Sequence, residues 1–270
     1  MEIDELLTLY DRFQRFEMEW PDMQRELAGS VVRVIPCPDI ETYYGERNSF
    51  IQYSRLTEQD ADAVIQEQIR HFAALKRKFN WELHGHDQPA DLRTRLERSG
   101  FAQDEDASAV MVLELSQAPK ILLAPVQADL RLVNSPEQIA VVAAIMAQVW
   151  GGNFDWLAKR LWGHLQIPGL LQVYLAYHQG QPAGTGWVYL HPNNPFASLW
   201  GGSTLAEQRG KGLYRAMLQA RVQAALDRGY SFLAIDAGPM SGPIVEKYGF
   251  RQVTTTQDFA WKPPAGPEVV

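Results

Sequence analysis

The chain has 270 residues, with 25 Lys+Arg against 32 Asp+Glu and a formal net charge of −7. That length fits two domains of ordinary size, and 46% hydrophobic residues is ample for packed cores. The acidic balance argues against nucleic-acid binding, which needs a basic footprint; no apolar run is long enough to span a bilayer; and one cysteine, Cys37, excludes an intramolecular disulfide.

The acidic start Met1-Glu2-Ile3-Asp4-Glu5 lacks the basic n-region of a signal peptide, so a cytoplasmic location is expected. No metal-ligand spacing is visible, and no metal is expected. Residues 1–27 read as a helix with Leu6, Leu7, Leu9, Tyr10, Phe13 and Phe16 on its apolar side, and Trp20-Pro21 marks a break near its end. Strands are predicted at Val31–Ile35, Phe50–Leu56, Trp81–Leu83 and Ala109–Leu115. Helices are predicted over Glu58–Lys78, with Thr57 as N-cap, and from Pro89 to Ser99 before Gly100-Phe101. Residues 119–126, with two prolines and no period, read as a linker between domains at 1–118 and 127–270.

In the second part a strand at Leu130–Val133 precedes a helix opened by Ser135-Pro136 and stopped by Gly151-Gly152. A second helix spans Phe154–Leu165, and Leu171–Tyr177 and Ala183–Leu190 read as a hairpin. Pro192-Asn193-Asn194-Pro195 turns into a strand from Phe196 to Thr204. Next comes Arg209-Gly210-Lys211-Gly212, then a helix bearing Leu213, Met217, Ala220 and Ala224 on one side. A buried strand at Phe232–Ile235, a short helix ending before Gly249-Phe250, and a last strand to about Trp261 complete the order.

The basic, glycine-rich turn is the chemically informative stretch. Two glycines let backbone N–H groups approach a ligand, and the helix behind them directs its partial positive charge to the same place. Arg209 and Lys211 add full charges, so the turn suits a phosphate or diphosphate. Residues 1–125 carry 14 Lys+Arg and 23 Asp+Glu, a net of −9, whereas 126–270 carry 11 and 9, a net of +2. The part holding the turn is thus spared the acidity, as a polyanionic ligand requires. A Walker loop is excluded because Gly212, not a hydroxyl residue, follows Lys211. A dinucleotide fingerprint is excluded because its third glycine position is Arg215.

The stretch Arg209-Gly210-Lys211-Gly212-Leu213-Tyr214 instead resembles the acetyl-CoA loop of the GNAT superfamily, Gln/Arg-x-x-Gly-x-Gly/Ala, departing only where Tyr214 replaces a small residue. The element order over roughly 126–262 is similar to the GNAT core as well. The resemblance implies an α/β (α+β) fold with a mixed, mostly antiparallel sheet flanked by helices. It implies acetyl-CoA as co-substrate, held by Ser203, Thr204, Leu205, Arg209, Gly210, Lys211, Gly212, Leu213 and Tyr214. It implies an acetyl group transferred directly to a primary amine in a ternary complex. A small-molecule acceptor is expected, with a peptide or protein amine as the alternative.

Family members often carry a glutamate in the central strand, but residues 197–204 contain no acid. Asp236 is the first substitute as general base, ahead of His191, His164 and Asp155. The position of the family's thiolate-protonating tyrosine is Val245 here, which leaves Tyr248 and Ser241 as candidates. These departures keep a second reading open, a CoA-binding or interaction module without catalysis. A homodimer is allowed by either reading.

The first part echoes the second. Glu58-Gln59 and Gly100-Phe101 precede Glu207-Gln208 and Gly249-Phe250 by the same offset of 149. At that offset Asp60-Ala61-Asp62-Ala63 stands opposite the Arg-Gly-Lys-Gly turn, with acids for bases and no glycine. The expectation is a tandem pair of GNAT-like domains whose first copy lacks the cofactor loop.

Overall fold

A computed structural model describes residues 1–37, 49–103 and 106–263. The chain divides into two compact units. Among the described residues, the first comprises 1–37, 49–103, 106–110 and 253–263, and the second comprises 111–252.

The first unit opens with helix α1 (Ile3–Tyr10), which passes into a π-helical turn over Asp11–Phe16. Strand β1 (Met23–Ala28) and strand β2 (Val31–Pro36) form a hairpin, closed at Ala28↔Val31. The single long helix expected over 1–27 is therefore wrong in its last third. Gln-Arg-Glu-Leu favours helix locally, but Pro21 interrupts the ladder and Gly29, at φ 61°, makes the hairpin turn. Strand β1 is the edge of its sheet, and Arg25 and Glu26 give that edge charge.

Strand β3 (Ser49–Ser54) and strand β4 (Phe79–His84) run parallel, joined through helix α2 (Ala61–Ala74). Helix α3 (Leu92–Arg98) and the two-residue strand β5 (Ala102–Gln103) follow. Strand β12 (Arg251–Trp261) pairs antiparallel with β4 from Thr256↔His84 to Trp261↔Phe79. The sheet order is β1-β2-β3-β4-β12. The last strand, drawn above into the domain 127–270, thus belongs from Val253 onward to the first unit. The cause is packing. Phe259 and Trp261 are buried in the aromatic core with Phe72, Phe79, Trp81 and Phe101, and the Phe79 and Trp261 rings lie 5.7 Å apart.

The second unit contains strand β6 (Ser108–Glu114) from Met111 onward, helix α4 (Lys120–Leu123), strand β7 (Asp129–Leu132), helix α5 (Pro136–Trp150) and helix α6 (Asp155–Leu165). Strand β8 (Leu171–His178), strand β9 (Gln181–Tyr189) and strand β10 (Phe196–Thr204) follow. Helix α7 (Leu213–Leu226), strand β11 (Phe232–Ala237) and helix α8 (Gly242–Glu246) complete it. The sheet order is β6-β11-β10-β9-β8-β7; the pairs from β10 to β7 are antiparallel, and β10 with β11 is parallel. The fold is the mixed, mostly antiparallel α/β architecture that the sequence implied.

Helix α5 starts where expected, with Ser135 Oγ accepting from Gln138 N–H at 3.4 Å and Pro136 in its first turn. Residues 119–126 are not a bare linker. Leu122 is buried, and Gln219 Nε2 on α7 donates to the Ile121 carbonyl at 2.7 Å, which docks α4 on that helix. Among the described residues, no helix is long and apolar enough to cross a membrane.

Phe259→Ala tests the placement of β12. Deleting this fully buried ring should cost about 3–5 kcal/mol in chemical denaturation of the full chain. A cost under about 1 kcal/mol would mean that β12 does not hold the first unit's core together.

Candidate active site

Strand β10 runs through the middle of the second unit's sheet, and its two edges differ. Against β9 the pairing extends from Ser198↔Tyr189 to Thr204↔Gly184, and the Leu205 N–H still donates to the Ala183 carbonyl at 3.0 Å. Against β11 it covers only Phe196↔Phe232, Ala197↔Leu233 and Ser198↔Ala234. Beyond Ser198 the parallel strands part, which leaves backbone groups of β10 facing a cleft.

A bulge shapes the open stretch. The register with β9 shifts between Trp200 and Ser203, and Gly201 adopts φ 60°. A β-carbon at Gly201 would collide with the Trp187 ring, so glycine is required there. Strand alternation turns Thr204, next to Leu205, toward the open edge, where its carbonyl accepts from Arg209 Nε at 3.3 Å. Leu205 itself is buried and its N–H is used inside the sheet, so a role for its amide in holding a ligand does not fit. Thr204 Oγ1 is enclosed without a hydrogen-bond partner.

The chain leaves β10 through a single 3-10 turn over Ala206–Gln208 and enters the glycine turn. Gly210 and Gly212 take φ 76° and 78°, the left-handed region that glycine occupies at least cost. Gly212 is the N-cap of α7, and no side chain caps that helix. Its first amides therefore lack the usual side-chain acceptor. Nothing lies within 4 Å of where a β-carbon on Gly210 would stand, so the cradle is open on that side. Arg209 and Lys211 are exposed, and Lys211 Nζ donates to Gln208 Oε1 at 2.8 Å. A 14-residue helix with an uncapped N-terminus, flanked by two exposed cations, fits the diphosphate of a nucleotide-like ligand. Leu213 is buried and anchors the first turn, packed with Met217, Ala176 and Ala183.

Above the bulge, Ser203 Oγ accepts from Trp150 Nε1 at 2.9 Å and donates to Met146 Sδ at 3.3 Å, which ties β10 to the end of α5. The indole of Trp150 is still 60% exposed. Trp200, 40% exposed, donates from Nε1 to Ser198 Oγ at 3.0 Å. The Ser203 hydroxyl is thus already engaged, and strand alternation turns its backbone toward β9, so the expected role of Ser203 in holding a ligand does not fit. Below the bulge, Tyr214 packs its ring under Gly202. Burial pushes the Tyr214 phenol above its ordinary range; neighbouring Arg221 opposes that shift and Tyr248 adds to it.

The three expected catalytic residues fare differently. Asp236 is exposed on β11, two residues past the last one paired with β10, and so lies where the strands have parted. Tyr248 is half-buried, and it acts electrostatically on Tyr214 in the first turn of α7. Ser241 points its hydroxyl back to the Gly238 carbonyl at 3.3 Å, a local turn bond that suits a structural role better than proton delivery. His164 donates to or accepts from Tyr189 Oη at 2.8 Å, and His191 stacks on the same ring with centroids 5.5 Å apart. Both histidines are buried core groups. Asp155 is the first residue of α6, and its N–H donates to Asn153 Oδ1 at 2.6 Å. Arg221, fully buried beneath the bulge, was not anticipated. Its spacing of four from both Met217 and Ala225, inside the apolar stripe, was the only signal.

An open pocket at the other end of β10 is lined by His191, Asn194, Arg228 and Tyr230. It lies at the N-terminal end of that strand, whereas the parted edge and the glycine turn lie at the C-terminal end, where ligands of α/β sheets bind.

In the first unit the head of helix α2 is closed. The Thr57 N–H donates to Asp60 Oδ1 at 2.7 Å and the Asp60 N–H to Thr57 Oγ1 at 3.3 Å. Asp62 is held by Arg95 at 3.1 Å. The helix carries its own carboxylates where α7 presents glycines.

Residues 142–249 match the sequence model of the Acetyltransferase (GNAT) family. No curated protein sequence matches the chain. Among solved structures, a GCN5-related N-acetyltransferase from Kribbella flavida is similar at a TM-score of 0.65 and 16% identity, over 98% of this chain and 95% of that one. A functionally unknown conserved protein from Staphylococcus epidermidis is similar at 0.66 and 13%, over 92% and 98%. A tandem GNAT protein from the clavulanic acid biosynthesis pathway is similar at 0.58 and 15%, over 98% and 88%.

Buried His191 gives the second unit a pH signature. Burial, then the nearby His164 and Arg160, lowers His191 to about 4. An unfolded histidine titrates near ~6.5, so between those values the unfolded chain binds the extra proton. Stability associated with His191 is complete above the unfolded value and is lost as pH falls toward 4, on the order of 3 kcal/mol in all. His191→Phe should flatten the fall in thermal midpoint from pH 6.5 to 4; an unchanged slope would contradict the buried neutral ring.

Proposed function

From the match of residues 142–249 to the GNAT family model, we propose that this chain is an acyltransferase that moves an acetyl group from acetyl-CoA to a primary amine on a small molecule. The observation that carries this reading is the parting of β10 from β11 after Ser198, with the glycine turn at the end of the opened strand. The turn and the head of α7 would hold the diphosphate, through the backbone of Gly210, Lys211 and Gly212 and the charge of Arg209. The open edge of β10 around Gly202 and Thr204 would align the thioester arm and offer backbone donors to its carbonyl oxygen.

Attack is direct. The amine nitrogen forms the C–N bond, the C–S bond breaks, and the surplus proton of the nitrogen passes to a base while the thiolate takes up a proton. In this reading Asp236 would receive the first proton through water, and Tyr248 would supply the second. Both residues act within the chain's own cleft, and no acyl-cysteine is needed, since Cys37 lies in the first unit. Holding the two reactants together supplies much of the rate, up to about 7–11 kcal/mol for well-oriented groups. The exposed faces of Trp150 and Trp200 suit an acceptor with apolar or cationic surface.

For the first unit we propose a degenerate copy of the same fold. Its parallel pair β3–β4 encloses α2 as β10–β11 encloses α7, but Asp60 and Asp62 occupy the head of α2 and would repel phosphate. The likeness along 98% of the chain to a tandem GNAT protein supports that arrangement. The absence of an acid from residues 197–204 favours one rival, a CoA-binding module without catalysis.

Acetyl-CoA should raise the thermal midpoint of the wild-type chain, and a panel of primary amines should reveal turnover. Arg209→Glu combined with Gly212→Glu should abolish the shift and lower activity by about 100-fold or more, because two carboxylates then face the diphosphate. A shift without turnover on any amine would favour the binding module. A shift that survives the double substitution would place the ligand elsewhere.

A further inference from the structure

Helix α7 carries one charged residue on its sheet-facing side. Arg221 is fully buried. Its Nε donates to the Met217 carbonyl at 3.1 Å, Nη1 lies 3.5 Å from the Trp200 carbonyl oxygen, and Nη2 has no partner. Among the described residues no carboxylate pairs with it. The titratable groups that face it are two phenols, Tyr214 from the first turn of α7 and Tyr174 from β8. Burial raises both, Tyr174 to about 12, so both are neutral at pH 7. Burial also lowers the guanidinium from its ordinary value, yet an arginine in a protein keeps its proton. The chain therefore maintains an uncompensated positive charge inside the second unit.

That charge sits against the bulge. A β-carbon at Gly186 would stand 3.2 Å from Nη1, and one at Gly202 would stand 3.7 Å from Nη2. The guanidinium stands against the glycine backbone of β9 and β10, beside the Tyr214 ring that packs under Gly202. The contact to Trp200 O joins it to the peptide that leads into Gly201, the first bulged residue. A hydrogen bond donated by a cation to that carbonyl polarises the same peptide's N–H.

We infer that Arg221 is a positioning residue for acyl transfer, supplying from beneath the bulge a fixed positive potential that favours the negative charge developing on the thioester oxygen as the amine attacks. This rests on the acyltransferase reading. The physical logic is that an unpaired buried charge is costly to folding, whereas in a medium of low dielectric its field reaches further than in water. Preorganised charge of this kind acts on the transition state and not on binding of the co-substrate. The field also opposes protonation of an amine brought into the cleft, which keeps the nucleophile in its reactive form.

Arg221→Met removes the charge at similar length, and Arg221→Lys restores it. Both are measured in the full chain for kcat, for KM of acetyl-CoA and for thermal midpoint. The Met variant should lose at least ~10-fold in kcat with KM for acetyl-CoA changed by less than about threefold, and the Lys variant should recover most of the loss. The Met midpoint should equal or exceed that of the wild type, because a buried unpaired charge has been removed. An active Met variant, a Lys variant no better than Met, or a midpoint that falls in step with activity would each overturn the inference while leaving the acyltransferase reading intact. A wild-type chain that turns over no amine would overturn both.

Discussion

The second unit depends on how β10 satisfies its backbone. A buried strand has a row of donors and acceptors along each edge, and each must find a partner or meet solvent or ligand. Strand β10 pairs with β9 along its length, but with β11 for three residues only. The unpaired remainder ends in a turn whose two left-handed glycines place uncapped helix amides beside it. An opened sheet edge and an uncapped helix meeting in one place leave backbone donors and acceptors of the strand beside the free amides of the helix.

The sequence is most legible where local chemistry and tertiary structure agree. Phe196–Thr204 is the central strand as expected, set by the Pro-Asn-Asn-Pro turn before it and the glycine turn after it. Ser135-Pro136 starts α5 because both residues suit a first turn whatever packs on it. The glycine turn could be read without a structure because positive φ angles at two positions leave few other residues there.

The failures are places where distant contacts decide. Residues 23–28 have helix-forming side chains, yet hairpin pairing with β2 overrides propensity. Residues 119–126 carry linker chemistry, yet Leu122 finds a core and Gln219 a carbonyl to hold. The last strand follows the second unit in sequence, yet Phe259 and Trp261 complete the aromatic core of the first, and no local pattern shows which core will receive them. Arg221 was overlooked because a charged residue on a helix normally faces water, and only its register with Met217 and Ala225 says otherwise. The side-chain chemistry of the cleft was the least legible. It turns on which hydroxyls are already engaged, as Ser203 and Ser241 are, and that is a property of the packed molecule.

The most direct measurement is amide hydrogen exchange on the full chain with and without acetyl-CoA. Slowed exchange confined to the opened stretch of β10 near residues 199–204 and to the head of α7 near 209–215, with residues 57–63 unaffected, is the predicted result. Unchanged exchange in both second-unit stretches at saturating ligand, or slowing at the head of α2 instead, would contradict it.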